Sequence, residues 1–96
     1  MTVKHMVWLK TPDGVSSAEM ESLMEKVRGM KTIPSVIDIV VGKNFKDTGH
    51  GYDYGVIMSY ADKDAQREYI AHPDHEKLRD EIKAMDVGLM ALDFEH

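Results

Sequence analysis

The sequence predicts an α+β protein of the ferredoxin-like type, in which a four-stranded antiparallel sheet carries both helices on one face. Three short segments alternate between apolar and polar residues, which is typical of half-buried strands, and a fourth is mostly apolar and β-branched. Two longer segments repeat apolar residues every three or four positions, which is typical of helices packed on one side. In chain order the segments read β-α-β-β-α-β, which predicts one domain over residues 1–96.

The composition excludes several classes of function. The chain carries 12 Lys and Arg against 17 Asp and Glu, a formal charge of −5, which disfavours binding to nucleic acid. It has no cysteine, which excludes disulfides, thiolate metal sites and a cysteine nucleophile. No apolar run approaches the roughly 20 residues that span a bilayer, and the start of the chain lacks the pattern of a signal peptide. We therefore expect a cytoplasmic protein with no nucleic-acid or membrane partner.

Residues 2–10 alternate in polarity and predict the first strand. One face of this strand carries Val3, His5, Val7 and Leu9. The helices should cover that face, because the alternate face holds the large Met6 and Trp8. The alternate face would then be exposed apolar surface, which monomers rarely tolerate. We therefore expect a homodimer that packs sheet against sheet.

The first helix is predicted over residues 17–30. Thr11 to Gly14 has the composition of a turn, and Ser16 with Glu19 forms a capping box at the start of the helix. Its buried stripe is Met20, Leu23, Met24, Val27 and Met30. Pro34 prevents the helix from continuing into the next segment.

Two further strands follow the first helix. Val36 to Val41 is mostly apolar and β-branched, and predicts a strand that ends at Gly42. A polar loop from Lys43 to Gly51 leads to a second alternating segment, Tyr52 to Tyr60. The two strands are expected to pair as an antiparallel hairpin.

The second helical segment is interrupted by His72 and Pro73. Because proline disfavours helical geometry in the residue before it, His72 should end one helix and Pro73 should begin the next. In the second piece His75 lies on the apolar stripe, at helical spacing with Leu78 and Ile82. A third alternating segment, Val87 to Phe94, closes the predicted sheet.

The candidate site combines the polar groups of two histidines and two tyrosines with an otherwise aliphatic and methionine-rich interior. His75 and Tyr69 are the candidate catalytic residues, and His5, Tyr54 and Val7 are candidate substrate contacts. A buried histidine titrates near neutral pH and can serve as a general acid or base, while a phenol can donate a hydrogen bond to a carbonyl oxygen. The pattern predicts a small-molecule site between sheet and helices.

Simpler interpretations compete with this one. His5 can be a hydrogen-bonded core histidine, and Tyr54 can be a packing residue. His72 is best explained as the last residue of a helix. His72 and His75 are three positions apart, but the proline break prevents them from sharing a face, so no metal site of side chains is predicted.

Several short motifs recur together along the whole chain. They are Val3-Lys4-His5-Met6-Val7, Ile33-Pro34, Gly42-Lys43, Gly51-Tyr52, Glu68-Tyr69-Ile70-Ala71-His72-Pro73-Asp74-His75 and Leu92-Asp93-Phe94. With these motifs the chain resembles the stress-responsive dimeric α/β-barrel family, which includes polyketide cyclases. The resemblance implies a ferredoxin-like protomer whose sheet meets that of a second copy in a homodimeric barrel.

The resemblance also implies an activity and its residues. The cyclases of the family close a linear poly-β-keto thioester by an intramolecular aldol condensation. Their active-site histidine and tyrosine match His75 and Tyr69, and their first-strand histidine matches His5. A further histidine of theirs, on the third strand, is replaced by Tyr54. A tyrosine cannot act as a base at neutral pH, so the identical reaction is not implied.

Three functions therefore remain open at this point. The first is a cofactor-free cyclase or lyase that acts on an aromatic or β-keto acid. The second is a stress-associated or ligand-binding protein without turnover. The third is related chemistry, such as decarboxylation, isomerisation or cofactor-free oxygenation. Some relatives hold Mg²⁺ on backbone carbonyls, which would correspond here to the region of Met30, Ile33 and Val36.

Overall fold

The computed structural model covers residues 1–96 and confirms the ferredoxin-like order, with the second helix divided in two. The strands are β1 (Val3–Lys10), β2 (Asp38–Lys43), β3 (Tyr54–Tyr60) and β4 (Gly88–Glu95), and the helices are α1 (Ser17–Gly29), α2 (Lys63–Ala71) and α3 (Pro73–Ala84). A short 3₁₀ turn, Met30–Thr32, follows α1. No helix is long and apolar enough to cross a membrane.

The four strands form one antiparallel sheet in the order β2-β3-β1-β4. In this register His5 of β1 lies opposite Met58 of β3 and Asp93 of β4. Residues directly opposite each other point to the same face of a sheet. The register therefore decides which side chains of different strands can meet.

The core lies between the helices and one face of the sheet. The predicted helix-facing side of β1 is confirmed, because Val3 and Leu9 are 2% and 1% exposed, whereas Trp8 on the other face is 45% exposed. The predicted stripe of α1 supplies four buried residues to this core: Met20, Leu23, Met24 and Val27. Fifteen buried apolar and aromatic side chains form one cluster.

The start of α1 is stabilised by the predicted capping box. The Ser16 hydroxyl accepts a hydrogen bond from the Glu19 backbone N–H, and the Glu19 carboxylate accepts one from the Ser16 backbone N–H. Two of the helix's unpaired N-terminal donors are thereby satisfied. The helix ends at Gly29 and tightens into the 3₁₀ turn, so Met30 lies just beyond the predicted stripe.

The bounds of β2 and β3 differ from the prediction. β2 begins at Asp38, because the N–H of Val36 is held in a turn by the carbonyl of Ile33. β3 begins at Tyr54, because the N–H of Tyr52 is likewise held by the carbonyl of Gly49. In both places a local turn takes the backbone hydrogen bonds that the sheet ladder would need.

The second face of the sheet carries no helix and is apolar. Its central row crosses all four strands and consists of Val40, Ile57, Met6 and Leu92. Trp8 and Met90 lie beside this row, and Phe94 lies on its other side. Val40 is 58% exposed and Leu92 is 59% exposed in the single chain. The apolar face predicted from β1 is therefore present, and we refer to it below as the bare face.

Candidate functional site

The break at His72 and Pro73 sets the relative orientation of Tyr69 in α2 and His75 in α3, and its geometry follows from the backbone restrictions of proline. His72 has an extended backbone (φ −69°, ψ 136°), and its N–H donates to the carbonyl of Tyr69, which closes α2. Its ring Nδ1 accepts a hydrogen bond from the N–H of Asp74 at 3.1 Å and so caps α3. Pro73 occupies the first turn of α3, where its missing N–H costs nothing. His72 is therefore a helix cap, as its position before proline predicts.

Tyr69 and His75, on either side of the break, stack against each other. Their ring centroids are 4.5 Å apart and the planes are inclined at 53°. The Nδ1 atom of His75 lies 3.0 Å from the carbonyl oxygen of Ile70. Since a carbonyl can only accept, Nδ1 carries the proton in the neutral ring and Nε2 keeps its lone pair.

Burial shifts the acidity of both rings. Removal from water lowers the pKa of His75 below its ordinary value of 6.5, and the charges of Arg79 and His5 lower it further against the opposing carbonyl of Ile70. Burial raises the pKa of Tyr69 to about 12. At neutral pH the pair is therefore an uncharged imidazole beside an uncharged phenol. The Tyr69 side chain is buried, yet its hydroxyl makes no hydrogen bond to another protein group.

His5 belongs to a second polar group beside this pair. Its Nδ1 lies 2.5 Å from a carboxylate oxygen of Asp93, and the Gln66 amide donates to the same oxygen at 2.6 Å. The three residues come from β1, β4 and α2. The carboxylate oxygen accepts a hydrogen bond from Nδ1 of His5, so that nitrogen carries a proton.

Asp93 and Gln66 were not among the predicted site residues. The signal for Asp93 is the alternation of β4, which places it on the same face as Leu89 and Ala91, opposite His5 in register. Finding it required the pairing of the first and last strands, which the residues themselves do not specify. Gln66 has no comparable signal in the sequence.

Tyr54 lies apart from these residues. Its hydroxyl donates to a carboxylate oxygen of Glu21 in α1 at 3.0 Å. Tyr54 is opposite Leu9, four residues along β1 from His5, a separation of about 13 Å at the rise of an antiparallel strand. Val7 lies between the two positions and is partly buried against the core. The structure thus stacks Tyr69 against His75, places His5 where its charge acts on His75, and leaves Tyr54 at the other end of the sheet.

The helix-facing side of β4 is open to solvent. Leu89 is 51% exposed and Ala91 is also exposed, although both point to the side on which the helices lie. Val7 lies opposite Ala91 and forms part of the same surface. A ligand can therefore approach the group of His5, Tyr69 and His75 along this strand.

A cavity of about 710 Å³ lies elsewhere, on the bare face under the loop that joins β2 to β3. Trp8, Met90 and the loop residues Phe45 and His50 are among its lining residues. Neither Tyr69 nor His75 contributes to it. This cavity is therefore separate from the group of predicted catalytic residues.

The turn that would hold Mg²⁺ in some relatives offers an unsuitable set of donors. The carbonyls of Met30 and Ile33 each accept a backbone N–H at 3.0 Å, and Asp38, the carboxylate at the turn, pairs with Lys31 at 3.3 Å. Mg²⁺ sites in proteins usually include one or two free carboxylates. No cluster of three or more His, Asp or Glu side chains occurs. These residues do not fit a Mg²⁺ site, and we derive no step through a metal ion.

Comparison with known proteins gives relatives over the full length of the chain. Olivetolic acid cyclase from Cannabis sativa is 28% identical over 97 aligned positions, covering 98% of this chain and 96% of that protein. A solved protein from Arabidopsis thaliana superposes with a TM-score of 0.87 at 26% identity, covering 98% and 94% of the two chains. A dimeric ferredoxin-like protein from Thermobifida fusca gives a TM-score of 0.87 at 23% identity, covering 100% and 92%.

The same resemblance holds at the level of the family. Residues 3–96 match the stress-responsive A/B barrel domain, which includes all four strands and all three helices. The motifs that carry the resemblance, from the first-strand histidine to the segment around the His-Pro break, lie inside the matched range. The chain therefore belongs to the family of stress-responsive A/B barrel domains.

Proposed function

We propose that this protein binds a small carbonyl compound between the sheet and helices and converts it, without a cofactor, by cyclase- or lyase-type chemistry. The observation that carries the proposal is the pairing of Tyr69 with His75 at 4.5 Å, one with an unpaired hydroxyl and the other with an unprotonated Nε2. A base and a hydrogen-bond donor carried on two stacked rings can act on the two ends of one enolisable unit. The curated relative at 28% identity is named as a cyclase, which supports the same class.

The proposed reaction moves one proton out and one proton back. Nε2 of His75 removes an acidic proton from the carbon between two carbonyls, and Tyr69 donates a hydrogen bond to the oxygen on which the enolate charge grows. The enolate carbon then attacks a second carbonyl of the same molecule and forms the new C–C bond. The protonated His75 returns its proton to the resulting alkoxide, so no external reductant or oxidant is needed.

His5 is proposed to orient the substrate rather than to carry the proton. With Nδ1 held by Asp93, its Nε2 can form a hydrogen bond with an enol or hydroxyl group of the substrate. Val7, two residues along β1, would contact the apolar part of an aromatic or β-keto acid. Tyr54 is bonded to Glu21 at the other end of the sheet, so the proposed reaction does not use it.

Turnover of a panel of linear poly-β-keto thioesters tests the proposal. We expect His75→Ala to reduce kcat by about 10²–10⁴-fold and Tyr69→Phe by about 10²–10³-fold, the usual effects of losing a general base or an oxyanion donor. His72→Asn is the matched control, because asparagine preserves the cap of α3 and lies outside the pair. Equal turnover by the parent and His75→Ala proteins would rule the mechanism out.

A second candidate is a binding protein without turnover. The observation that favours it is Tyr54, which occupies the position where the cyclases of the family have a histidine. Burial raises the pKa of Tyr54 above its ordinary value of 10.0, so it cannot replace that histidine as a base. Saturable thermal stabilisation by aromatic or β-keto acids, together with no product from any member of the panel, would select this candidate. Loss of that stabilisation in Tyr69→Phe would place the ligand at the same site.

We also propose that the protein works as a homodimer joined through the bare face. The support is the row of exposed apolar side chains across all four strands and the dimeric state named for the solved relative from Thermobifida fusca. A second copy would cover this row and leave the helix-facing side of β4 free for ligand entry.

A further inference from the structure

Two glycines lie opposite each other on the bare face, in the row between its central row and the β2–β3 loop, and their backbone conformation does not require glycine. Gly42 of β2 pairs with Gly55 of β3, and the row continues through Trp8 and Met90. The positive φ angles of the chain's glycines occur at Gly14 and Gly51 instead. Glycine weakens a strand interior, because it loses more backbone freedom on folding and packs no side chain.

Space within the chain does not require these glycines either. A Cβ atom added at Gly42 meets no other atom within 4 Å, and one added at Gly55 meets only Cδ1 of Trp8 at 3.9 Å. A side chain at either position would point out of the sheet on the bare face. Glycine in a strand often marks a place where another molecule approaches the backbone closely. We call the depression formed by Gly42, Gly55, Trp8 and Met90 the glycine socket.

The glycine socket is the floor of the cavity of about 710 Å³ under the β2–β3 loop. The socket is continuous with the apolar row of Val40, Ile57, Met6 and Leu92, which is its neighbour along the strands. A small molecule in the cavity would leave that row exposed to water. A protein surface of the same extent as the sheet would cover both.

The size and charge of the bare face indicate a second copy of this chain. Four strands about 4.8 Å apart and up to eight residues long give a planar projection of about 500 Å². Corrugation and the loop enlarge this area, which brings it into the range of about 600–1,000 Å² per partner that stable complexes bury. The charged residues of the four strands on this face are Lys4, Lys10 and Asp38. Two such faces meet with little repulsion, although each chain carries a net charge of −5.

We propose that a second copy of this chain places a bulky side chain in the glycine socket, and that the two glycines thereby fix how the two sheets pack. The inference rests on the homodimer proposed above and assigns a specific contact to it. In an isologous dimer each copy offers one socket and fills one, so a change at a single position acts twice.

Substitution of the socket glycines tests this contact in the full-length chain. Gly42→Val and the smaller Gly42→Ala fit the single chain, and valine is favoured in strands, so both variants should fold. We expect the dimer Kd, measured by sedimentation velocity, to rise at least tenfold for valine and by a smaller factor for alanine. Trp8, the single tryptophan, lines the socket and gives a second readout, because its emission should shift to longer wavelength on dilution.

Gly29→Ala is the matched control, because an added Cβ also meets nothing there and the residue ends α1, away from the bare face. Its dimer Kd should equal that of the parent chain. A parent dimer with an unchanged or lower Kd in Gly42→Val would overturn the socket while leaving the homodimer intact. A parent chain that stays monomeric at all accessible concentrations would overturn both.

Discussion

At the scale of single residues, the state of His75 follows from its surroundings. The imidazole is partly buried against Tyr69, and its Nδ1 proton is held by the carbonyl of Ile70. Desolvation favours the uncharged ring, and nearby Arg79 acts in the same direction. The arrangement therefore keeps the ring uncharged at neutral pH, which is the form that the proposed base requires.

The lowered pKa of His75 makes stability depend on pH. The folded chain holds this ring neutral below the ordinary pKa of 6.5, whereas the unfolded chain protonates it. Unfolding therefore takes up a proton, so stability falls as the pH drops from about 6.5 towards the lowered pKa of the folded state. His75→Gln should show a smaller loss of Tm between pH 7 and pH 5 than the parent chain. NMR titration of the imidazole should give a pKa below 6.5, and a value above it would contradict this account.

Asp93 is predicted to act through His5 as a positioning residue. Asp93→Ala removes the acceptor of both His5 and Gln66, whereas Asp93→Asn keeps an acceptor oxygen. We expect Asp93→Ala to lower kcat about tenfold with little change in stability, since exposed ion pairs contribute about 0–1 kcal/mol. The ¹⁵N chemical shifts of the His5 ring should show a mixture of tautomers in Asp93→Ala and a single tautomer in Asp93→Asn. Identical shifts in both variants would show that Asp93 does not position the ring.

The part of the site that the sequence could predict lies along one stretch of chain. Tyr69, His75 and the proline between them are close in sequence, so the local geometry of the break between α2 and α3 brings the two rings together. His5 could be assigned to a face by the period of β1. Asp93 reaches His5 only through the pairing of the first and last strands, and Tyr54 is turned to Glu21 by the position of α1. Such contacts depend on register and helix placement, which periodicity does not fix.

At the scale of elements, proline divides the second helix and the side chain of His72 stabilises the start of α3. The ring of His72 caps α3 by accepting from the N–H of Asp74 at 3.1 Å. His72→Ala leaves that donor unpaired and should lower the free energy of unfolding by about 1 kcal/mol, whereas His72→Asn should lower it by much less. In a domain of this size the alanine variant should lose about 4–8 °C of Tm. Equal Tm values for the two variants would show that the cap does not contribute.

Element bounds were predicted less well than element types. The β-branched run correctly marks β2 and the period of two correctly marks β3. Their starts were each placed two residues early, since apolar Val36 and Tyr52 continue the pattern into the preceding turns. The carbonyls of Ile33 and Gly49 capture the N–H groups there, and local hydrogen bonding of this kind leaves no trace in hydrophobic period.

At the scale of the whole molecule, one face of the sheet packs against the helices and the other is an exposed apolar surface. The helices cover β1, β2 and β3 on one face, which buries the core and Tyr69 and partly buries His75. The bare face carries apolar side chains but no helix, and this asymmetry was predictable because β1 is apolar on both of its faces. An uncovered apolar face of this size is typical of an interaction surface, and the homodimer proposed above would cover it.

A single charge in the central row of the bare face should therefore separate the two copies. Ile57 is 41% exposed in the single chain and lies between Val40 and Met6. Because it is exposed, Ile57→Lys should change the stability of the single protomer by no more than about 0.5 kcal/mol. In the dimer the same substitution would bury an unpaired ammonium group, which is strongly unfavourable. Over a roughly hundredfold range of protein concentration, mass action changes the stabilisation of the parent chain by up to about 2.7 kcal/mol. The parent Tm should rise by several degrees across this range, and that of Ile57→Lys should stay constant. Ile70→Lys, on the exposed side of α2 at 47% exposure, should behave like the parent chain. A parent Tm independent of concentration, together with a monomeric mass in solution, would contradict the proposed homodimer.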